Sequence, residues 1–175
     1  MTKLFDELVE ENLKSLKAAG AMALAGACGL GGCADAKEMP RGIRNNNPGN
    51  IEKGQDWNGE RKNQSDPRFE EFKSPEYGIR AMGMILRTYH RKYNINTIEG
   101  IVNRWAPPKE NDTKNYIKVV SQISGIDPKA ELNLFHNGKV ANPDALAKIL
   151  KAMIRMENSY EYPDATIQKA IKLLP

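Results

Sequence analysis

The sequence predicts a mainly helical α+β domain with one small β-hairpin, preceded by a separate amphipathic helix. The helices are indicated by apolar residues that recur every three or four positions between Pro75 and the C-terminus. The hairpin is indicated by a turn rich in asparagine, proline and glycine in residues 41–50, followed by two short extended segments, 51–59 and 68–72.

Residues with strong capping preferences mark the ends of the predicted helices. The first helix begins near Pro75, and its apolar face is Tyr77, Ile79, Met82, Ile85, Leu86 and Tyr89. Three further helices begin at Thr97, at Asp112 or Thr113, and at Asn142 followed by Pro143. Stop signals for the first two of these are Pro107, Pro108 and Gly125. A last helix is predicted over residues 164–174.

Residues 1–39 read as an appendage, with the folded domain in residues 40–175. Residues 3–17 show the periodicity of an amphipathic helix, and residues 18–36 are a run of small apolar residues. This run is shorter than the ~20 apolar residues that span a bilayer. It fits a segment that docks on a partner or a membrane, a flexible linker, or a lipoprotein leader with Cys33 as the lipidated residue. The long acidic stretch before it argues against a leader.

Composition excludes several classes of function. The chain has 175 residues, a net charge of +4 and a pI near 9.0, which suits an anionic bacterial envelope but is too weak a bias to indicate nucleic acid. The two cysteines and two histidines have no metal-ligand spacing. We therefore expect no metal, no organic cofactor and no nucleic-acid partner.

Three motifs carry a resemblance to a known family. They are "RGIRNNNPGNI", "DPRFEEFKSPEYGIRA" and "RWAPPKENDTKNY", in this order along the chain. Together they resemble a family of phage and prophage virion proteins, and the resemblance covers residues 41–175. It implies a phage or prophage origin and a location in the virion or at the bacterial envelope.

A more distant resemblance concerns the chemistry. The segments "NNPGNI", "FEEFKS" and "NDTKNYI" are similar to motifs of bacterial glucosaminidases, which are lysozyme-like cell-wall hydrolases. This resemblance implies a lysozyme-like helical domain in which the amide-rich turn is a sugar-binding hairpin. In those enzymes a catalytic glutamate ends a helix just before the hairpin. Here the matching "ENS" signature stands at residues 157–159, which implies a circularly permuted arrangement.

The resemblance makes Glu157 the candidate general acid. Cleaving a glycosidic bond requires a carboxylic acid that protonates the leaving oxygen. Apolar neighbours, Met153, Ile154 and Met156, are expected to desolvate Glu157 and to raise its pKa. The alternative is that Glu157 is an ordinary surface residue at a frayed helix end. Glu110 is the second candidate, although a carboxylate before a helix start often caps backbone N–H groups instead.

Several other residues are predicted to contact the substrate. Tyr116 resembles the glucosaminidase tyrosine that faces the cleft, and its alternative is a core residue on a helix. The expected sugar-binding residues are Arg44, Asn47, Asn50, Trp57 and Trp105, with Arg41 as a further donor. Instead of binding sugar, the side chains of Asn47 and Asn50 could hydrogen-bond their own backbone and hold the turn. Trp105 could instead be a core residue.

These observations predict a peptidoglycan-cleaving glycosidase of muramidase, glucosaminidase or lytic transglycosylase type. Its substrate would be peptidoglycan glycan strands, and residues 1–39 would contact virion proteins or the bacterial membrane. The rival hypothesis is a non-enzymatic virion structural or glycan-binding protein with a degenerate lysozyme-like fold.

Overall fold

The structure, a computed structural model, describes residues 39–109 and 111–175. The chain divides into two units, Met1–Glu38 and Met39–Pro175, and every feature described below belongs to the second. The predicted N-terminal helix, Cys33 and Glu110 lie outside the described residues. Within the described part of the chain, no helix is long and apolar enough to cross a membrane.

The described residues form six helices and one two-stranded sheet. The elements are α1 (Arg41–Arg44), α2 (Pro75–Tyr93), α3 (Ile98–Trp105), α4 (Thr113–Ser124), β1 (Phe135–His136), β2 (Lys139–Val140), α5 (Pro143–Asn158) and α6 (Asp164–Lys172). This agrees with the prediction of a mainly helical α+β domain.

The predicted capping residues lie at the helix ends. Thr97, Asp112 and Asn142 each accept a hydrogen bond from a backbone N–H in the first turn of α3, α4 and α5. These bonds satisfy donors that the helix itself leaves unpaired. Gly125 ends α4 in the left-handed conformation, with φ of 68°. Because caps depend on a few neighbouring residues, the sequence was sufficient to place them.

The β-structure differs from the prediction. The predicted segments 51–59 and 68–72 do not form a hairpin: only two isolated antiparallel bridges occur here, Glu52 with Phe69 and, just after the first segment, Glu60 with Phe72. The two-stranded sheet lies instead at β1 and β2, which are joined by Asn137 and Gly138 with φ of 48° and 76°. Asn-Gly is the pair that a tight hairpin turn with two positive φ angles favours. This local signal in "FHNGKV" was missed.

Helix α5 is the centre of the core. It contacts α1, α2, α4 and α6, while α2 packs mainly against α6 and α3 against α4. Its buried stripe is at most 1% exposed and consists of Leu146, Ile149, Leu150, Met153 and Ile154. A fully buried aliphatic side chain of this kind contributes about 2 kcal/mol to folding. The end of α5 is therefore held rigidly in the middle of the domain.

An acidic residue, Asp66, joins the 64–71 loop to the segment that begins the domain. Its carboxylate accepts from Arg41 Nε and Nη2 at 2.7 and 2.6 Å, from Asn45 Nδ2 at 2.7 Å, and from two backbone N–H groups. The hydrogen bonds from Arg41 are the main reason why the pKa of Asp66 lies well below its usual value. Arg41, expected to bind sugar, instead has a structural partner.

Replacing Asp66 with Asn should lower the melting temperature at pH 7. The melting temperature of the variant should also fall less than that of the wild type when the pH is lowered. A carboxyl whose folded pKa is depressed stabilises the fold above its unfolded pKa, here near 3.8, and this stabilisation is lost as the pH falls further. We expect a fall in Tm of roughly 5 °C at pH 7, because charged hydrogen bonds are lost. Thermal melts between pH 7 and pH 2 should show the difference shrinking below pH 4. Asp56→Asn, which changes the same charge at an exposed position, is the control, and an equal loss there would contradict the prediction.

Candidate functional site

Glu157 lies in the last turn of α5, where three other segments donate hydrogen bonds to its carboxylate. Oε1 accepts from the Tyr116 hydroxyl at 2.8 Å and from Trp105 Nε1 at 3.0 Å. Oε2 accepts from Asn50 Nδ2 at 3.2 Å. The side chain is half-buried, so these contacts hold it at the surface of a cleft. The Glu157 carboxylate therefore lies beside the amide-rich turn.

The amide-rich turn is fixed by its own side chains and by the end of α5. Asn47 is fully buried, donates to the carbonyls of Ile51 and Glu70 at 2.9 Å, and accepts from the Ile51 N–H at 2.9 Å. Asn158 Nδ2, next to the candidate acid, donates to the carbonyl of Pro48 at 2.7 Å. The turn and the helix end are therefore one hydrogen-bonded unit.

Two aromatic residues orient the carboxylate from the other side. Trp105 ends α3 and is half-buried, whereas the ring of Tyr116 on α4 is buried in the core with 4% exposure. Burial, together with the adjacent Glu157 carboxylate, raises the pKa of Tyr116 well above its usual value of 10. The hydroxyl therefore stays protonated and donates to Glu157 throughout the neutral range.

The cleft in front of Glu157 has a volume of about 500 Å³. Its lining includes Asn50, Phe69, Tyr89, Trp105 and Glu157. This combination of aromatic surface and a few convergent polar groups is typical of a site for a small polar ligand. Glu52 also lines the cleft, and its Oε1 accepts from Arg68 Nε and Nη2 at 2.8 and 2.5 Å.

Several sequence predictions for this site need correction. Asn47 cannot contact a sugar, because it is fully buried and its amide is occupied by backbone partners. Arg44 is exposed and lies outside the lining of the cleft. Tyr116 was expected on the cleft wall, but its ring packs in the core and only its hydroxyl reaches Glu157. Asn47 thus holds the turn by local hydrogen bonds, and Tyr116 is a core residue on a helix, which are the alternatives given for them above.

The surroundings of the Glu157 carboxylate also differ from the prediction. Met153 and Ile154 pack into the core one turn earlier in α5, while the carboxylate itself meets three polar donors from other segments. Periodicity along α5 could not reveal these donors, because they come from distant parts of the chain. Asn50 and Trp105 do lie at the cleft, although both contact Glu157 as well as lining the space for a ligand.

Trp57 lies in a neighbouring cavity and not in the Glu157 cleft itself. It is half-buried and packs against the core, and its Nε1 has no acceptor among the described residues. No group of three or more His, Cys, Asp or Glu residues that could hold a metal ion is present in the part of the chain that the structure describes.

Sequence reasoning missed two residues that shape this region. Asn158 ties α5 to the turn, and its position directly after Glu157 was the available signal. Arg104, directly before Trp105, lines the neighbouring cavity together with Tyr93. The spacing of four between Tyr89 and Tyr93, which places both on one face of α2, was a further signal.

These features define a mainly helical domain that presents a glutamate, oriented by Tyr, Trp and Asn side chains, in a cleft. Over 125 residues the chain is 48% identical to Protein P5 of Pseudoalteromonas phage PM2, a match that covers 69% of this chain and 72% of that protein. The chain therefore belongs to the family of this phage protein. The predicted phage or prophage relationship is confirmed, whereas the lysozyme-like resemblance stays a prediction. No family model matches the chain.

Proposed function

We propose that this protein binds peptidoglycan glycan strands in the Glu157 cleft and cleaves a glycosidic bond there. The observation that carries the proposal is the convergence of Tyr116, Trp105 and Asn50 on one half-buried carboxylate in a cleft of sugar size. Membership in a phage protein family adds a reason for the substrate class, because peptidoglycan is the polymer that a phage meets in the envelope of its bacterial host.

In this proposal Glu157 is the general acid. Oε1 accepts two hydrogen bonds, whereas Oε2 has a single, longer bond from Asn50, so Oε2 is the oxygen that would carry the proton to the leaving group. When Oε2 carries the proton, Oε1 is a carbonyl oxygen and still accepts from Tyr116 and Trp105, so both residues keep the protonated carboxyl in place. Tyr116 is a positioning residue, since it acts through Glu157.

The proposed reaction uses one carboxylate of the protein. Glu52 lines the same cleft, but its Oε1 is held in an ion pair with Arg68. A single acid suits attack by the N-acetyl group of the substrate or internal capture that forms an anhydro-sugar, both of which replace the second carboxylate. The half-buried indole of Trp105 supplies a flat apolar surface beside the reacting bond.

The second candidate is a non-enzymatic phage protein that keeps this domain for virion structure or for binding glycan. Its specific support is the family match, because Protein P5 carries a name that states no activity. That match favours the second candidate more directly than it favours cleavage. The geometry around Glu157 is what favours cleavage.

Incubation of the purified full chain with murein sacculi separates the two candidates. Cleavage predicts soluble glycan fragments in mass spectra, and their ends identify the bond: reducing N-acetylglucosamine, reducing muramic acid or anhydro-muramic acid. Cosedimentation with sacculi without any released fragment would overturn cleavage and favour the binding protein. A heat-denatured sample of the same chain provides the background for both measurements.

A further inference from the structure

The Glu157 cleft continues into a second cavity of about 420 Å³. The two spaces share the lining residues Ile51, Glu52, Ile85 and Tyr89, so they form one groove along α2. The consecutive residues at the end of α3 separate its two parts, since Trp105 lines the Glu157 side and Arg104 the other. A polymer chain that is bound at Glu157 and runs along α2 towards this cavity would pass Arg104.

The second cavity has aromatic walls. Trp57, Tyr89 and Tyr93 all line it, and Tyr93 is 50% exposed, one of the few large hydrophobic side chains of the described residues that face solvent. Aromatic rings of this kind present flat apolar surface with a polar edge, which matches the alternating faces of a sugar ring. The walls therefore suit another sugar unit of the same glycan.

Arg104 gives this cavity a positive charge that is held in place. Its guanidinium carbon lies 3.6 Å from the centroid of the Tyr93 ring and 5.3 Å from that of Tyr89. Within residues 39–109 and 111–175, Arg104 is exposed and belongs to none of the ion pairs. Stacking on Tyr93 orients the guanidinium, and its N–H donors have no carboxylate partner among the described residues, an arrangement that suits bidentate recognition of a carboxylate.

The charges around the cavity also favour an anion. The lining contains two cations, Lys53 and Arg104, and one anion, Glu52. Arg68 forms an ion pair with Glu52, so the negative charge is locally balanced. Lys53 Nζ donates one of its three hydrogen bonds to the carbonyl of Asp66 at 2.5 Å, which ties this ammonium to the 64–71 loop. Arg104 is the cation of this lining that stacks on the aromatic wall.

We propose that the second cavity binds a carboxylate-bearing sugar unit of the glycan, with Arg104 donating to the carboxylate and Tyr93 and Trp57 supporting the ring. This inference rests on the proposed glycan-binding function of the Glu157 cleft. Two sources supply such a carboxylate in peptidoglycan: the lactyl group of muramic acid in a strand without peptides, and the stem peptide in an intact strand. Arg104 thus becomes the residue that distinguishes muramyl glycan from neutral glycan.

The test measures glycan binding by calorimetry in the full chain carrying Glu157→Gln, so that no ligand is cut. The probes are a neutral N-acetylglucosamine tetramer, a peptide-free tetrasaccharide of alternating N-acetylglucosamine and muramic acid, and the same tetrasaccharide with stem peptides. We expect a carboxylate-bearing probe to bind about tenfold more tightly than the neutral one. Adding Arg104→Gln should remove this preference, because it should weaken binding of the carboxylate-bearing probe about tenfold more than binding of the neutral tetramer.

The control is Arg91→Gln, which removes the same charge from α2 outside the groove and should leave the preference intact. Tighter binding of the peptide-free probe assigns the lactyl carboxylate, and tighter binding of the peptide-bearing probe alone assigns the stem. A preference that survives Arg104→Gln, or an equal loss for the neutral tetramer, overturns the inference. If the preference appears but sacculi are never cleaved, the inference stands and cleavage falls; if no glycan binds, both fall.

Discussion

Replacing Glu157 with Gln should reduce glycan release from sacculi about 10³-fold, the range in which a general acid contributes to catalysis. Glutamine keeps the shape of the side chain and an oxygen that can accept from Tyr116 and Trp105. It has no proton to give to a leaving oxygen at neutral pH. The loss should therefore appear in turnover while the fold is preserved, which release assays and thermal melts together will measure.

A matched control for this variant is Glu161→Gln. Glu161 lies four residues further along the chain, is exposed, and approaches Arg155 at 4.0 Å. The same change of charge there should leave glycan release within about twofold of the wild type, because surface ion pairs contribute little. Undiminished release by Glu157→Gln would show that the acid lies elsewhere, and Glu110 would be the next candidate.

Replacing Gly78 with Ala should cause the largest loss of stability among small substitutions near the site. A Cβ at this position of α2 would lie 1.9 Å from the backbone carbonyl oxygen of Asn46 and 2.9 Å from Pro48 Cδ. The amide-rich turn would have to move away from α2, and such overpacking costs about 3 kcal/mol. We expect Tm to fall by roughly 10 °C. Asn50 would also leave Glu157, so glycan binding should weaken as well.

The control is Gly83→Ala, five residues further along the same helix. There an added Cβ would meet Leu174 Cδ1 at 2.9 Å, the flexible end of a side chain near the C-terminus. Alanine is also the better helix former by about 1 kcal/mol, which offsets the small rearrangement. The melting temperature of the Gly83→Ala variant should stay within a few degrees of that of the wild type. Equal losses for both variants would mean that α2 tolerates no Cβ on either face, contrary to the geometry at Gly78.

Much of the helical framework could be predicted because its signals are local. The caps at Thr97, Asp112 and Asn142 each depend on a donor three residues away. The hairpin at Asn137 and Gly138 had an equally local signal, so the failure to predict it was an omission. Isolated bridges in residues 51–72 could not be distinguished from strands, since extended segments with the same alternation can make either.

The candidate site was predictable only in part. Resemblance to cell-wall hydrolases singled out Glu157 and the amide-rich turn, and the structure brings the two within hydrogen-bond distance. The resemblance did not reveal that the Asn47 side chain holds the turn and does not contact a ligand. Amide side chains look alike in a sequence, and the difference between Asn47 and Asn50 arises from burial against residues 51 and 70.

The sequence by itself determined the helices from Pro75 onward, the caps at their starts and the chemical character of the turn, because each depends on residues within one or two turns of the chain. It did not indicate the short helix α1, Arg41–Arg44, inside the predicted turn. Tertiary structure alone decided what surrounds the carboxylate. Tyr116, Trp105 and Asn50 lie 41, 52 and 107 residues from Glu157. Their convergence follows from the packing of α3, α4 and the turn around the buried end of α5, and long-range packing leaves no periodic trace in any one segment. The same packing places Arg104 and Tyr93 beside each other in the groove.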